Sequence, residues 1–185
     1  MAYTEKDGEF PGGAAMSDDD SDERVRRASK LAARYERNYT NCSQSAVAGL
    51  LDAFSLKNDD VFRSASGLAD GIGLSGDGSC GALIGCSLVI GLLFGRERKD
   101  HGDIMKPLQS YLLCKELHAD FIQQYGSCRC ADIQTRLMGR SFDLLNPDDL
   151  DAAMKASVFE HCSGVVGRAA ERAAEIISRE QGGAV

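Results

Sequence analysis

Residues 67–95 read GLADGIGLSGDGSCGALIGCSLVIGLLFG, and the choice of fold turns on them. Gly71-Ile-Gly73-Leu-Ser-Gly76 spells a dinucleotide-binding fingerprint, which requires a buried strand before it and a βαβ unit around it. Phe62 to Ala69 instead has a helical pattern, and no other stretch alternates apolar and polar residues as a strand would. The dinucleotide reading is therefore set aside. The seven glycines 67, 71, 73, 76, 78, 81 and 85 are read as backbone that approaches a bulky site closely. Gly78 and Gly81, which flank Cys80, are the candidate cofactor-contacting glycines. The apolar run after them predicts a buried central helix from about Cys80 to Phe94, stopped by Gly95.

Outward from that helix, the remaining segments are helical. Ser17 or Asp18 caps a first helix with Val25, Ala28, Leu31, Ala32 and Tyr35 on one face. A second runs from Cys42 or Ser43 to Phe54, and Asn58 with Asp59 and Asp60 opens a short third through Ala65. Beyond the central helix, a long one is expected from about Asp103 to Tyr125, with Pro107 in its first turn. Three more begin near Cys130, at Asn146-Pro147, and at Cys162 or Ser163, the last ending near Arg179. The expected fold is all-α, a compact multi-helix bundle with a glycine-rich loop before the central helix.

The chain has 185 residues, 43% hydrophobic and 26% charged, without tryptophan. Its net charge of −7 is concentrated at the start. Residues 1–24 hold eight acids against Lys6 and Arg24, so the body is nearly neutral. Residues 1–16 are expected to be a disordered or non-native extension, with Met16 as a plausible start, and 17–183 a single helical cysteine-rich domain. A neutral body lacks the basic footprint of a nucleic-acid binder. No apolar run reaches the ~18–20 residues of a membrane span; Ala82 to Phe94 is broken by Gly85, Ser87 and Gly91. With no secretory signal, the expected location is cytoplasmic.

Seven cysteines, at 42, 80, 86, 114, 128, 130 and 162, stand out in such a chain. In that setting metal ligation or redox chemistry is a stronger reading than a disulfide framework. Cys42, Cys80, Cys130 and Cys162 each fall at an expected helix start, where free N–H groups and the positive dipole end favour a thiolate. Cys86 and Cys114 lie among leucines, isoleucine and valine and read as core. Cys128 forms Cys-x-Cys with Cys130, as an extra ligand or a resolving thiol. Four cysteines from separate helices suit one shared centre, so the leading expectation is a [2Fe–2S] or [4Fe–4S] cluster used for electron transfer. The alternatives are thiol–disulfide chemistry without a metal, and structural zinc. The absence of Cys-x-x-Cys-His excludes covalent haem attachment.

These residues carry a resemblance. Asn41-Cys42-Ser-Gln-Ser45, Cys80-Gly81-Ala82-Leu-Ile-Gly85, Cys130 ahead of Leu137-Met-Gly139, and Cys162 ahead of Val165-Val166 follow one another as in the redox-active family named from its signature, C_GCAxxG_C_C. The chain resembles it over residues ~25–180. The resemblance implies an all-helical redox protein with Cys42, Cys80, Cys130 and Cys162 as the functional set, similar to domains coupled to haem modules in split-Soret cytochromes. A redox partner protein is the implied partner, with a homodimer left open, and the role is redox transfer rather than that of a conventional enzyme.

Overall fold

A computed structural model describes residues 18–182. Among them are eight α-helices: α1 (Asp18–Tyr39), α2 (Cys42–Ala53), α3 (Asp59–Ser64), α4 (Gly81–Phe94), α5 (Leu108–Tyr125), α6 (Cys130–Met138), α7 (Pro147–Lys155) and α8 (Val158–Gly182). Short 3₁₀ turns occupy Ser66–Leu68 and Arg98–Asp100. The extended pairing among the described residues is a single antiparallel bridge between Ser79 and Arg129. The fold is all-α, as expected. Residues 1–16, the expected extension, lie outside the described residues.

Local chemistry sets most helix ends. The Asn58 side chain accepts from the Val61 N–H at 2.8 Å, and Asp59 and Asp60 follow in the first turn, where the helix dipole favours acids. Asn146 accepts from the Asp148 and Asp149 amides, with Pro147 placed where no N–H is needed. Gly126 and Gly139 close α5 and α6 in the left-handed conformation.

Two starts differ from expectation. Asp103 Oδ1 accepts from the Met105 and Lys106 amides, which makes a side-chain-closed turn, so α5 begins at Leu108 with Pro107 as its cap. The helix expected from Cys162 begins a full turn earlier, at Val158, because Val158 is buried against Phe142 and Ala153. Cys162 therefore lies inside α8.

α4 is the centre of the bundle, packed on α2, α8 and α5, while α1 lies along α8 and α2. Small residues let the outer helices approach closely. A side chain at Gly49 would stand 2.6 Å from Ala32 Cβ, so α2 nearly touches α1. Leu50, Ile90, Leu117, Ile176 and Ile177 are fully buried in the resulting core, each worth roughly 1.5–3 kcal/mol relative to exposure. On the surface Arg172 pairs with Asp120 and, at 2.6 Å, with Glu116. Glu116 also holds Arg179 at 2.8 Å, joining α5 to α8. No described helix is long and apolar enough to cross a membrane.

Candidate functional site

Three pieces of chain are stapled together at one end of α4. The Cys80 N–H donates to the Cys128 carbonyl at 2.7 Å, the Cys130 N–H to Gly78 at 3.0 Å, and the Ala131 N–H to Gly76 at 2.8 Å. The glycine-rich loop is thereby fixed to the start of α6. The start of α2 is tied to the turn at Ser66–Leu68 by Ser43 Oγ donating to the Ala65 carbonyl at 2.8 Å and Asn41 Nδ2 to Ser66 at 3.0 Å. Cys42 is the first residue of α2, Cys80 the cap of α4 and Cys130 the first residue of α6.

The two glycines singled out as cofactor contacts act on the protein itself. A Cβ at Gly81 would lie 2.4 Å from Cys42 Sγ, so this glycine is what admits the Cys42 sulfur beside α4. A Cβ at Gly78 would lie 2.6 Å from the Gly71 carbonyl, which the Gly78 N–H itself binds. Ahead of both glycines the loop makes a left-handed turn. Asp70, Gly71, Ile72, Gly73 and Leu74 all have positive φ, three of them with side chains. Such a run costs about 1–2 kcal/mol for each non-glycine residue. Its outcome is to bring Asp70 against Cys130, strain of the kind that collects at functional sites.

Three thiols lie close enough to govern one another's protonation, Cys42 with Cys80 and Cys80 with Cys130, and Cys130 gives its S–H to Asp70 Oδ1 at 2.9 Å. Gln134 Nε2 donates to the same Asp70 oxygen at 2.8 Å, and its Oε1 accepts from the Phe142 N–H. Cys162 faces the same space from α8 as a half-buried side chain. All four cysteines line a cavity of about 310 Å³, with Glu36, Asp70 and Gln134 beside them. Apolar side chains of α6, α7 and α8, Met138, Leu150 and Phe159 among them, also line it. Cys128 is outside this lining, with Ser79 Oγ at 3.8 Å from its sulfur. Cys86 is fully buried in α4, and Cys114 is half-buried against the Ser87 carbonyl.

The electrostatics correct the expectation of helix-start thiolates. The hydrogen bond to Cys80, followed by burial, pushes the Cys42 thiol well up. Cys80 is held well up by the hydrogen bond it gives Cys130, with Cys42 acting in the opposite sense and burial adding to the rise. For Cys130 the hydrogen bond from Cys80 pulls down, yet burial and Asp70 outweigh it. Burial also raises Cys162. The helix ends do not win, because in this dry, acid-lined space a second negative charge has no cation to meet.

The same arrangement overturns the iron–sulfur cluster, and structural zinc with it. Among the described residues no group of three or more His, Cys, Asp or Glu side chains is disposed to hold a metal ion. Ligation needs thiolates turned toward a common centre. Here the Cys130 thiol is engaged with Asp70, and Cys162 sits inside α8 rather than at a helix start.

Three residues of the site were not among the expected ones. Glu36 and Asp70 are almost wholly buried, at 3% and 5% exposure, and Glu36 Oε2 and Asp70 Oδ2 have no hydrogen-bond partner. Burial raises Glu36 to about 7, with Ser45 opposing and Asp70 reinforcing. Burial likewise raises Asp70, against the hydrogen bond from Cys130. A signal for Glu36 was present, since it extends the inner stripe of Ala28 and Ala32 by one turn. Asp70 and Gln134 carried none, because their roles depend on the loop meeting α6.

Among known proteins, an uncharacterized protein of Archaeoglobus fulgidus is 28% identical over 120 residues, which cover 62% of this chain and 79% of that relative. No solved structure matches the chain. Residues 40–176, which include all four pocket cysteines, match a family model, and the chain belongs to that family, described as "Putative redox-active protein (C_GCAxxG_C_C)".

Proposed function

We propose that this chain is a thiol-based redox protein in which Cys130 and Cys80 exchange two electrons with a disulfide substrate. The observation that carries the reading is the Cys130 thiol bonded to the buried carboxylate of Asp70 in the cavity that Cys80 and Cys42 share. Cys130 gives its S–H directly to a carboxylate, and Asp70, its own pKa raised by burial, is suited to take that proton. The Cys130 thiolate then attacks a substrate S–S bond, forming a mixed disulfide and releasing one substrate thiolate, which takes up a proton. Cys80, whose backbone is bonded to the segment that carries Cys130, resolves the mixed disulfide. It forms a Cys80–Cys130 disulfide and releases the second substrate thiol. Cys42, in the same cavity, steadies the charge that passes through that sulfur. A reducing compartment such as the cytoplasm would keep the pair as the dithiol. A redox partner would return the pair to the dithiol.

The test is a redox titration in dithiol–disulfide buffers, followed by alkylation with a mass tag and peptide mapping. One disulfide per chain, joining Cys80 to Cys130, is expected, and Cys80→Ser should remove it. A chain that keeps all its thiols across the titration, or pairs only cysteines outside the cavity, refutes the reading.

A further inference from the structure

The cavity that holds the thiols is unevenly charged. Its lining contains two carboxylates, Glu36 and Asp70, and no lysine, arginine or histidine. Both carboxylates are more than nine-tenths buried, and each has one oxygen with no hydrogen-bond partner. Buried polar atoms in folded proteins are almost always satisfied, so two orphaned acceptors in one cavity call for donors from outside the chain. The rest of the lining is mostly apolar, with Met138, Leu150 and Phe159 among it. An anionic thiol compound entering this space would meet uncompensated negative charge in a dry environment. A ligand that carries an ammonium group on a short apolar body would satisfy both the carboxylates and the apolar lining.

We infer that the cavity selects small cationic disulfides, those built from aminothiols, over neutral and anionic ones of equal size. The inference rests on the thiol–disulfide reading above for its chemistry, but not for its recognition. The ammonium meets the free oxygens of Glu36 and Asp70, which lays the ligand S–S bond beside the thiols. The reaction balances as one aminothiol disulfide plus the Cys80 and Cys130 thiols giving two aminothiols and the Cys80–Cys130 disulfide. Electrons move from the protein to the substrate, and both protein protons leave with the products.

Cystamine, bis(2-hydroxyethyl) disulfide and dithiodiglycolate form a charge series, tested by the rate at which each oxidises the reduced protein under anaerobic conditions. Cystamine should react roughly tenfold or more faster than the neutral disulfide, as expected for a charge-assisted hydrogen bond, and dithiodiglycolate slowest. Glu36→Gln and Asp70→Asn should each shrink that preference, with helicity checked by circular dichroism. The unsubstituted protein alone keeps the charge series decisive should either variant fail to fold. Recognition is read separately by calorimetry with hexane-1,6-diamine, which matches cystamine in length but cannot be reduced, against hexane-1,6-diol. Preferential binding of the diamine supports the inference even if no disulfide oxidises the protein, a result that would sink only the redox reading. Equal rates across the charge series, or no preference for diamine over diol, overturn the inference and leave thiol–disulfide exchange intact.

Discussion

Glu36 should make this protein less stable as the pH rises through neutrality, and Glu36→Gln should abolish that loss. The carboxyl is 3% exposed and one of its oxygens has no partner. Its pKa rises from 4.5 to about 7, chiefly through burial. Because the folded-state value is the higher one, the native chain binds more protons than the unfolded chain between the two values. The side chain is therefore accommodated without penalty below about pH 4.5. The cost grows as the pH rises and levels off above about 7. A gap of about 2.5 pH units corresponds to about 3 kcal/mol. In a chain of this length that is a shift in Tm of roughly 6–12 °C. Thermal unfolding of the reduced protein and of Glu36→Gln at intervals from pH 5 to pH 8 provides the comparison. The stability difference in favour of glutamine should widen by about that amount across the range. Curves that stay parallel would show that Glu36 is solvated or paired in solution, and the dry, acid-lined cavity would be wrong.

Two further outcomes follow from the packing. Gly81→Ala should destabilise by about 1–3 kcal/mol and hinder oxidation of the pocket thiols, since its Cβ must displace the Cys42 sulfur; Gly91→Ala, in open space on the same helix, should instead stabilise by roughly 0.5–1 kcal/mol, and denaturant unfolding of the two reads the opposite signs. Asn146→Ala removes the side chain that accepts from two amides at the start of α7, and should lower stability by ~1 kcal/mol, with the faster amide exchange confined to α7.

The helices of this protein are written in its sequence because their determinants are local. Asn58 and Asn146 cap the helices that follow them, Gly126 and Gly139 end α5 and α6, and the missing strand before Gly71 was enough to reject a βαβ unit. The four cysteines were legible as a set, and the chain does bring them to one cavity. Where local signals competed, tertiary contacts decided: burial of Val158 drew the start of α8 back past Cys162. The chemistry of the cysteines was beyond the sequence altogether. Helix-start positions pointed to thiolates and so to a metal cluster, but protonation depends on everything that surrounds a sulfur. Only the folded chain sets Asp70 from a left-handed loop, Gln134 from α6 and Glu36 from α1 beside those thiols. A helix end offers a fraction of a charge to its own first turn, whereas burial beside two carboxylates acts on every group in the cavity. The second effect is the larger, and it raises the pKa values of the expected ligands instead of lowering them.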